Sequence, residues 1–326
     1  MPIDFKQDLK EFVLSQLDYY EVKYKKNDDL LTLLIKYFTF SAKYIVPQRR
    51  SVDISIELSK KMVLLPVDTQ KALIKLTNWV NNGVDINCFQ SGGLYGHGSR
   101  DYQNALYGIV HLHLSAAETD VVPVIKKGRL AKRGRYLLFA LFVHEKAYFI
   151  DVVEHPEALT KNNTTATEWT SSNLLKIIEN NWPELIESKK IDGALMCDSH
   201  GQPVEQTDAD IAALTANHIN VLVAGNDGLY SMKPGIATSG DSVEAVLSAQ
   251  RAIREVSCWE KEYNENKDLV HNALRRIWKE FSIEEPFEYN IHYDFMQNLN
   301  KFLVLERCTS TAIDLSDGTV YYFEMK

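Results

Sequence analysis

The sequence lacks the patterns that identify several broad classes of protein. Its cysteines, Cys88, Cys197, Cys258 and Cys308, lie far apart and form no CxxC pair, which argues against a zinc ribbon or a disulfide framework and predicts free thiols. No stretch approaches the roughly eighteen uninterrupted apolar residues of a membrane helix. The charged residues of the first segment, MPIDFKQDLKEF, do not fit a signal peptide. We therefore expect a cytoplasmic protein without a membrane association.

Common nucleotide-binding and hydrolase motifs are also missing. The chain has no GxxxxGK[ST] P-loop, no GxGxxG after a strand and no GxSxG elbow, which disfavours a nucleotide-driven motor or a dinucleotide enzyme. The segment PGIATSGDS places Ser239, Gly240, Asp241 and Ser242 before a predicted helix, where free N–H groups could hold a phosphate. Helix capping selects the same residue types and is the simpler interpretation. We expect no cofactor.

The composition is that of an ordinary globular protein. The 326 residues are 45% hydrophobic and 25% charged, which is enough for one large domain or two medium ones. A formal net charge of −8 repels nucleic acid, so polyanion binding requires a local basic patch. The segment KKGRLAKRGR is either such a phosphate-binding patch or a solvated loop. Its basic residues are Lys126, Lys127, Arg129, Lys132, Arg133 and Arg135.

The first 84 residues predict a mainly helical region. Apolar residues recur at helical spacing from Phe5 to Leu17, and a second apolar run follows Asp28. The segment PQRRSVDISIEL alternates polar and apolar residues and could form a short strand. Helical spacing resumes in DTQKALIKLTNWVNNG, with Asp68 as the predicted N-cap and Gly83 as the terminator. A glycine-rich loop follows, and its His97 and Arg100 are candidates for the edge of a site.

The middle of the chain predicts an antiparallel sheet. The segment YGIVHLHLS reads as a strand, and the apolar runs 136–142 and 147–153 flank the polar turn VHEK, as in a hairpin. Because side chains alternate across a strand, His111 and His113 share one face while Val110, Leu112 and Leu114 share the other. Two imidazoles on one face beside a cationic loop are typical of a functional site.

The remainder of the chain predicts a mixed region. Helical patterns occur in NLLKIIENNWPELI, DADIAALTAN and TSGDSVEAVLSAQRAIREVSCW, the last with Ser239 or Asp241 as its cap. Strand patterns occur in FLVLERCTSTAIDL and GTVYYFEM. We therefore predict an α+β fold with a central, mainly antiparallel sheet, N-terminal helices and a C-terminal mixed α/β region. The predicted boundaries are 1–84, 85–160 and 161–326.

One stretch of the chain resembles a known family. The run RYLLFALFVHEKAYFIDVVEHPEAL, preceded by a strand with paired histidines, resembles the sheet of RelE/YafQ-like bacterial toxins. In that family, a hairpin of this form ends in a histidine beside the active site. The resemblance covers residues 85–159 and depends on the HLH strand, the basic run and His155. The whole chain also resembles a bacterial family of unassigned activity that is encoded near mobile elements.

The resemblance implies a metal-independent endoribonuclease of a toxin or phage-defence system, which cleaves RNA through its 2′-hydroxyl, free or on the ribosome. Such chemistry needs a base, an acid and a cation, and histidine suits both proton roles. On this reading His155 and either His111 or His113 transfer protons, and Arg135 or Arg133 supplies the cation. The residues implied to contact RNA are Lys126, Lys127, Arg129, Lys132 and Arg133. The family's members are small and basic, so the flanking helical parts here could be a built-in antitoxin, a dock for a partner protein or a part with an unrelated function.

Two other functions remain open from the residues alone. The paired histidines could hold a metal ion with Asp151 or Glu154 and His155, which would make the protein a metal-dependent hydrolase. Histidines on a half-buried strand are also often structural, and the protein would then be a non-catalytic interaction or sensor protein of a mobile-element or defence system.

Overall fold

A computed structural model describes most of the chain. The described residues are 3–95, 102–114, 130, 134–155, 172–194, 196–197, 200–202, 204, 206–217, 219–287, 289–296, 301–314 and 319–322. They form two compact units, and each is described by itself. The central unit is Thr39–Glu244, and the terminal unit combines Met1–Phe38 with Ala245–Lys326. Helices and several sheets are both present, so the predicted α+β class is confirmed.

The three predicted regions divide the chain differently from these units. The regions follow chain order, whereas the units are held together by contacts between distant segments. One strand from residues 1–84 joins the sheet of residues 85–160, two helices from residues 1–84 cover one face of that sheet, and a helix from residues 161–326 covers the other face. The first helix of the chain instead packs against a strand near the C-terminal end of the chain.

Helices are present in the segments with a predicted helical pattern, and also at 56–62 and 102–107, which lie outside the predicted helices. The helices of the central unit lie between residues 56 and 216, and the helix at 30–43 contains residues of both units. The bounds are α1 Phe5–Tyr19, α2 Leu30–Lys43, α3 Ile56–Met62, α4 Val67–Asn82, α5 Tyr102–Tyr107, α6 Ser172–Asn181, α7 Asp208–Ala216, α8 Val243–Glu265 and α9 Lys267–Glu280. No helix in the described part of the chain has both the length and the apolar character that a membrane span needs.

Two helix starts differ from the sequence prediction. Pro66 is the N-cap of α4. Asp68 lies in the first turn, where its negative charge interacts favourably with the helix dipole. The C-terminal prediction is confirmed, because Gly83 ends α4 with φ 73°, a left-handed conformation that favours glycine. Helix α8 begins at Val243, after both predicted caps; Ser239 instead donates a hydrogen bond to Asp241.

The short strand β1 is Ser51–Ile54, and it ends before Ile56, which lies in the segment PQRRSVDISIEL that was predicted as a strand. Ser55 stops the strand because its hydroxyl accepts a hydrogen bond from the backbone N–H of Leu58, which caps helix α3. The same hydroxyl donates to the carbonyl of Ile150. Ile56 therefore begins a helix and is 58% exposed.

The central sheet confirms the predicted hairpin and its neighbouring strand. Its order is β1-β4-β3-β2, with β1 parallel to β4 and the other pairs antiparallel. The strands β2, β3 and β4 are Val110–Leu114, Tyr136–Val143 and Lys146–Glu154. Between β3 and β4 the turn is only two residues long, and His144 has a φ of 47° there. A register shift at Phe139/Ala140 marks a bulge in this pair.

Both faces of the central sheet are buried, which explains the continuous apolar character of its strands. One face, with Val110, Leu112 and Leu114 of β2, packs against α3 and α4 through Leu58, Leu73 and Leu76 among others. The opposite face, with Leu137 and Phe139 of β3, packs against α6 through Leu174, Leu175, Ile177 and Ile178. A small second sheet has the order β5-β7-β6, with strands Lys190–Ile191, Leu229–Tyr230 and Val223–Ala224.

The terminal unit contains an antiparallel sheet of order β11-β10-β9-β8. Its strands are β8 Ile291–Met296, β9 Lys301–Glu306, β10 Thr311–Ile313 and β11 Val320–Tyr322. Helix α1 is tied to β8 because the Asp8 carboxylate accepts the backbone N–H of Tyr293 and bonds the His292 ring. Phe5 of α1 packs on Tyr263 of α8 and on Tyr293, with both ring centroids 5.7 Å away.

Candidate functional site

The antiparallel register of the central sheet sets the positions of the predicted histidines. His111 lies opposite Phe139 and His113 lies opposite Leu137, on the face that packs against α6. His155 directly follows β4, and its backbone N–H donates to the carbonyl of Arg135 at 2.6 Å, which extends the β3–β4 pairing by one residue. The predicted alternation in HLHLS is confirmed, since the neighbouring valine and leucines belong to the other face.

The three imidazoles come together, and we call His111, His113 and His155 the histidine cluster. The rings of His113 and His155 stack with a centroid distance of 5.4 Å and an interplanar angle of 20°. The rings of His111 and His113 meet edge to face, 6.1 Å apart and at 80°. The structure therefore brings together the three histidines that the sequence analysis named as candidates.

The stacked pair is formed by side chains that reach across β3. That strand lies between β2, which carries His113, and β4, which precedes His155. Backbones two strands apart are separated by about 10 Å, so the 5.4 Å between the rings requires both side chains to lean over the central strand. The pair is deeply enclosed: His113 is 3% exposed and His155 is 8% exposed.

Arg135 adjoins the histidine cluster, but its guanidinium points to a carboxylate. Its Nε donates to Oε1 of Glu154 at 2.5 Å, and its side chain is 68% exposed. The hydrogen bond from Arg135 to Glu154 raises the pKa of the Arg135 guanidinium above its usual value. The negative charge of Glu154 also raises this pKa. Within the described residues, the contact between Arg135 and the cluster is the backbone hydrogen bond to His155.

The acidic residues that were candidate metal ligands are held by cations. Asp151 is buried, and Lys61 Nζ lies 3.0 and 3.1 Å from its two carboxylate oxygens. Its Oδ1 also accepts the N–H of Val152. Glu154 is paired with Arg135. In the part of the chain that the structure describes, no group of three or more His, Cys, Asp or Glu side chains has the arrangement of a metal site.

Several predicted residues lie outside the described part of the chain. They are His97, Arg100 and the basic residues Lys126, Lys127, Arg129, Lys132 and Arg133.

The cysteines are free thiols as predicted, with Cys88 partly buried and the other three exposed.

Lys61 is a neighbour of the site that the sequence did not indicate. It lies in the last turn of α3 and forms the ion pair with Asp151 across a separation of 90 residues. A lysine in an amphipathic helix carries no mark of a buried partner, because most such lysines are solvated. The buried Asp151 within an apolar strand was the available signal, since a buried carboxylate requires a partner.

Comparisons of the chain with protein-family models, with curated proteins and with solved structures find no match. The functional assignment therefore depends on the geometry of the chain itself.

Proposed function

We propose that the histidine cluster is the proton-transfer site of a metal-independent endoribonuclease. The main support is the stacked pair of His113 and His155, with centroids 5.4 Å apart. Cleavage through the 2′-hydroxyl needs one group that accepts a proton and another that donates one, both within reach of the same phosphate. Two neighbouring imidazoles suit these roles because histidine exchanges protons near neutral pH.

The proposed reaction needs no oxidant, reductant or metal. One imidazole accepts the proton of the 2′-hydroxyl as the 2′-oxygen bonds to phosphorus. The other imidazole protonates the 5′-oxygen as its bond to phosphorus breaks. The products are a 2′,3′-cyclic phosphate and a 5′-hydroxyl, and the two histidines end with their proton states exchanged.

Arg135 is the proposed cation for the charge that develops on the phosphate. It precedes β3 and is joined to His155 through the backbone, and its guanidinium is exposed. An RNA phosphate would compete with Glu154 for this guanidinium, because both present oxygens to the same fork of donors. RNA is thus the proposed partner, in solution or on the ribosome, and a toxin or phage-defence role is the proposed setting.

The second candidate is a non-catalytic interaction or sensor protein, and burial favours it. All three rings of the histidine cluster are at most 9% exposed, so RNA reaches them only if the site opens. A buried histidine pair that merely packs would leave the chain without nuclease activity. The two candidates therefore differ in a property that is simple to measure.

The test is RNA cleavage by the purified chain, with and without ribosomes, and growth of bacteria that express it. We expect the wild type to degrade RNA and slow growth. His155→Ala and a His111→Ala/His113→Ala double variant should relieve both effects, since loss of one proton-transfer group typically lowers the rate about 10²–10⁴-fold. Circular dichroism should show that the variants are folded. If wild-type protein leaves diverse RNAs intact and expression is harmless, the interaction protein replaces the nuclease.

A further inference from the structure

A second candidate site lies within the central unit, where β2 begins and β3 ends. It is a cavity of about 620 Å³ beside the first residue of β2 and the last residues of β3, Leu141, Phe142 and Val143. Its volume falls within the range of about 300–1,000 Å³ that small-molecule sites occupy. The proposed nuclease chemistry uses none of its residues.

The charges that line this cavity are strongly unbalanced. Among the described residues that line it, four are cations, Lys43, Arg50, Lys189 and Lys233, and one is an acid, Glu244; we call this site the cationic cavity. The whole chain carries a net charge of −8, so this local excess of positive charge runs against the composition. A cleft lined by one sign of charge concentrates ligands of the opposite sign.

Arg50 is the most informative residue of the cationic cavity. It is 9% exposed, and its Nε and Nη1 donate to the carbonyl oxygens of His144 and Val46 at 2.9 and 2.8 Å. Its guanidinium also lies 5.7 Å from the centre of the Phe142 ring. Within the described residues no carboxylate pairs with it. Burying a charge is costly unless it is paired, so an anion in the cavity would supply a partner that the described residues do not.

The lysines complete the charged wall. Lys43 is 8% exposed and Lys189 is exposed. Lys233 is held in place from two sides, because its ammonium lies 3.2 Å from Glu244 and its side chain packs over Gly108. At Gly108, which has φ 74°, a Cβ would approach Lys233 Cε to 3.1 Å. The absence of a side chain at this position therefore makes room for the lysine.

We propose that the cationic cavity binds a phosphorylated small organic molecule. A phosphate monoester carries up to two negative charges and three acceptor oxygens at neutral pH, which suits four cations opposed by a single acid. The remaining wall is largely apolar and would contact the organic part of the ligand. It includes Ile45, Leu141, Phe142, Ile186 and Met232.

The experiment is calorimetric titration of the wild-type chain with adenosine 5′-monophosphate, glucose 6-phosphate, inorganic phosphate and succinate. We expect at least one of the two phosphate esters to bind at least tenfold more tightly than inorganic phosphate, which leaves the apolar wall uncovered. Succinate, a dianion without phosphate geometry, should bind more weakly than that ester. A Lys189→Gln/Lys233→Gln double variant should lose about tenfold or more in affinity, because charged hydrogen bonds are lost.

Two further variants separate binding from folding. Lys71→Gln removes an exposed cation of α4 that does not line the cavity, and it should bind as the wild type does. Arg50→Lys keeps the charge but lacks the fork of donors, so its affinity should also fall, with thermal unfolding measured alongside. The proposal is overturned if neither ester binds at millimolar concentration, if succinate binds as tightly as the esters, or if the double lysine variant binds as the wild type does.

Discussion

The two units bury their histidines in different surroundings. In the central unit, the ring of His155 stacks on the ring of His113, so each imidazole has another imidazole as its neighbour. In the terminal unit, the His271 ring stacks on Tyr289 at 4.0 Å, and its Nε2 lies 2.8 Å from the Tyr263 hydroxyl. Both environments are buried, and His271 is 7% exposed. Burial alone therefore does not distinguish a chemical site from a packing site.

The proposed difference in role between the histidine cluster and His271 depends on the groups next to each ring. Burial lowers the pKa of His271, and the positive charges of Lys267 and Arg275 lower it further. Burial also raises the pKa of Tyr263 to about 12, so both shifts favour the neutral forms of this hydrogen-bonded pair. We therefore expect His271 to act in packing and not in proton transfer. A pair of adjacent imidazoles, in contrast, provides an acid and a base side by side, which proton-transfer chemistry requires.

The largest expected effect tests whether the histidine pair acts as one unit. We expect His113→Ala and His155→Ala each to lower the rate of RNA cleavage about 10²–10⁴-fold. The double variant should be little worse than either single variant, because groups that act together are strongly non-additive. Single-turnover cleavage rates provide the measurement. Fully multiplicative losses would mean that the two rings act independently, and the pair would lose its proposed role.

In the terminal unit, we expect a change at His271 to lower stability and to leave RNA cleavage unchanged. His271→Ala should lower the free energy of unfolding by about 2–4 kcal/mol, because it empties a buried site and removes the partner of the Tyr263 hydroxyl. Denaturant unfolding measures this loss. Tyr263→Phe is the matched control, since it removes only the hydroxyl and should cost about 0.5–1.5 kcal/mol. RNA cleavage should be unchanged in both variants under conditions where they are folded. A loss of cleavage in folded His271→Ala would break the comparison.

The smallest expected effect is a pH dependence of stability that depends on His271. Because its pKa is lower in the folded chain than the unfolded value of about 6.5, the unfolded chain binds the extra proton more readily. The contribution of His271 to stability is therefore complete above pH 6.5 and is lost as the pH falls through the folded pKa. Unfolding of the wild type and His271→Leu at pH 7.5 and 5.5 measures it. The wild type should lose more stability on acidification than the variant, and equal losses would contradict the assignment.

Local patterns in the sequence predicted the local geometry of the site. The alternation in HLHLS and the short turn between two apolar runs were sufficient to predict the hairpin and the shared face of His111 and His113. The ends of β1 and the start of α8 were missed by a few residues, because the capping hydrogen bond of Ser55 and the local contacts of Asp241 compete with the hydrophobic pattern.

Long-range partners could not be predicted in the same way. Asp8 and His292 meet across 284 positions of sequence, and Lys61 meets Asp151 across 90. The sequence marks Asp151 as a charge within an apolar strand, but nothing in the segment of Lys61 indicates that this lysine is its partner. The cationic cavity has the same origin, because Arg50 and Lys233 reach it from segments that carry no shared motif. Such sites depend on how elements pack, which a single sequence pattern does not encode.

The most direct test of the histidine cluster is the chemical identity of the RNA ends. RNA incubated with the purified 326-residue chain in the presence of a metal chelator is analysed by mass spectrometry, with His155→Ala as the control. The account predicts fragments with 2′,3′-cyclic phosphate and 5′-hydroxyl ends, formed by the wild type and not by the variant. Intact RNA, or fragments with 3′-hydroxyl and 5′-phosphate ends that form only without chelator, would contradict it.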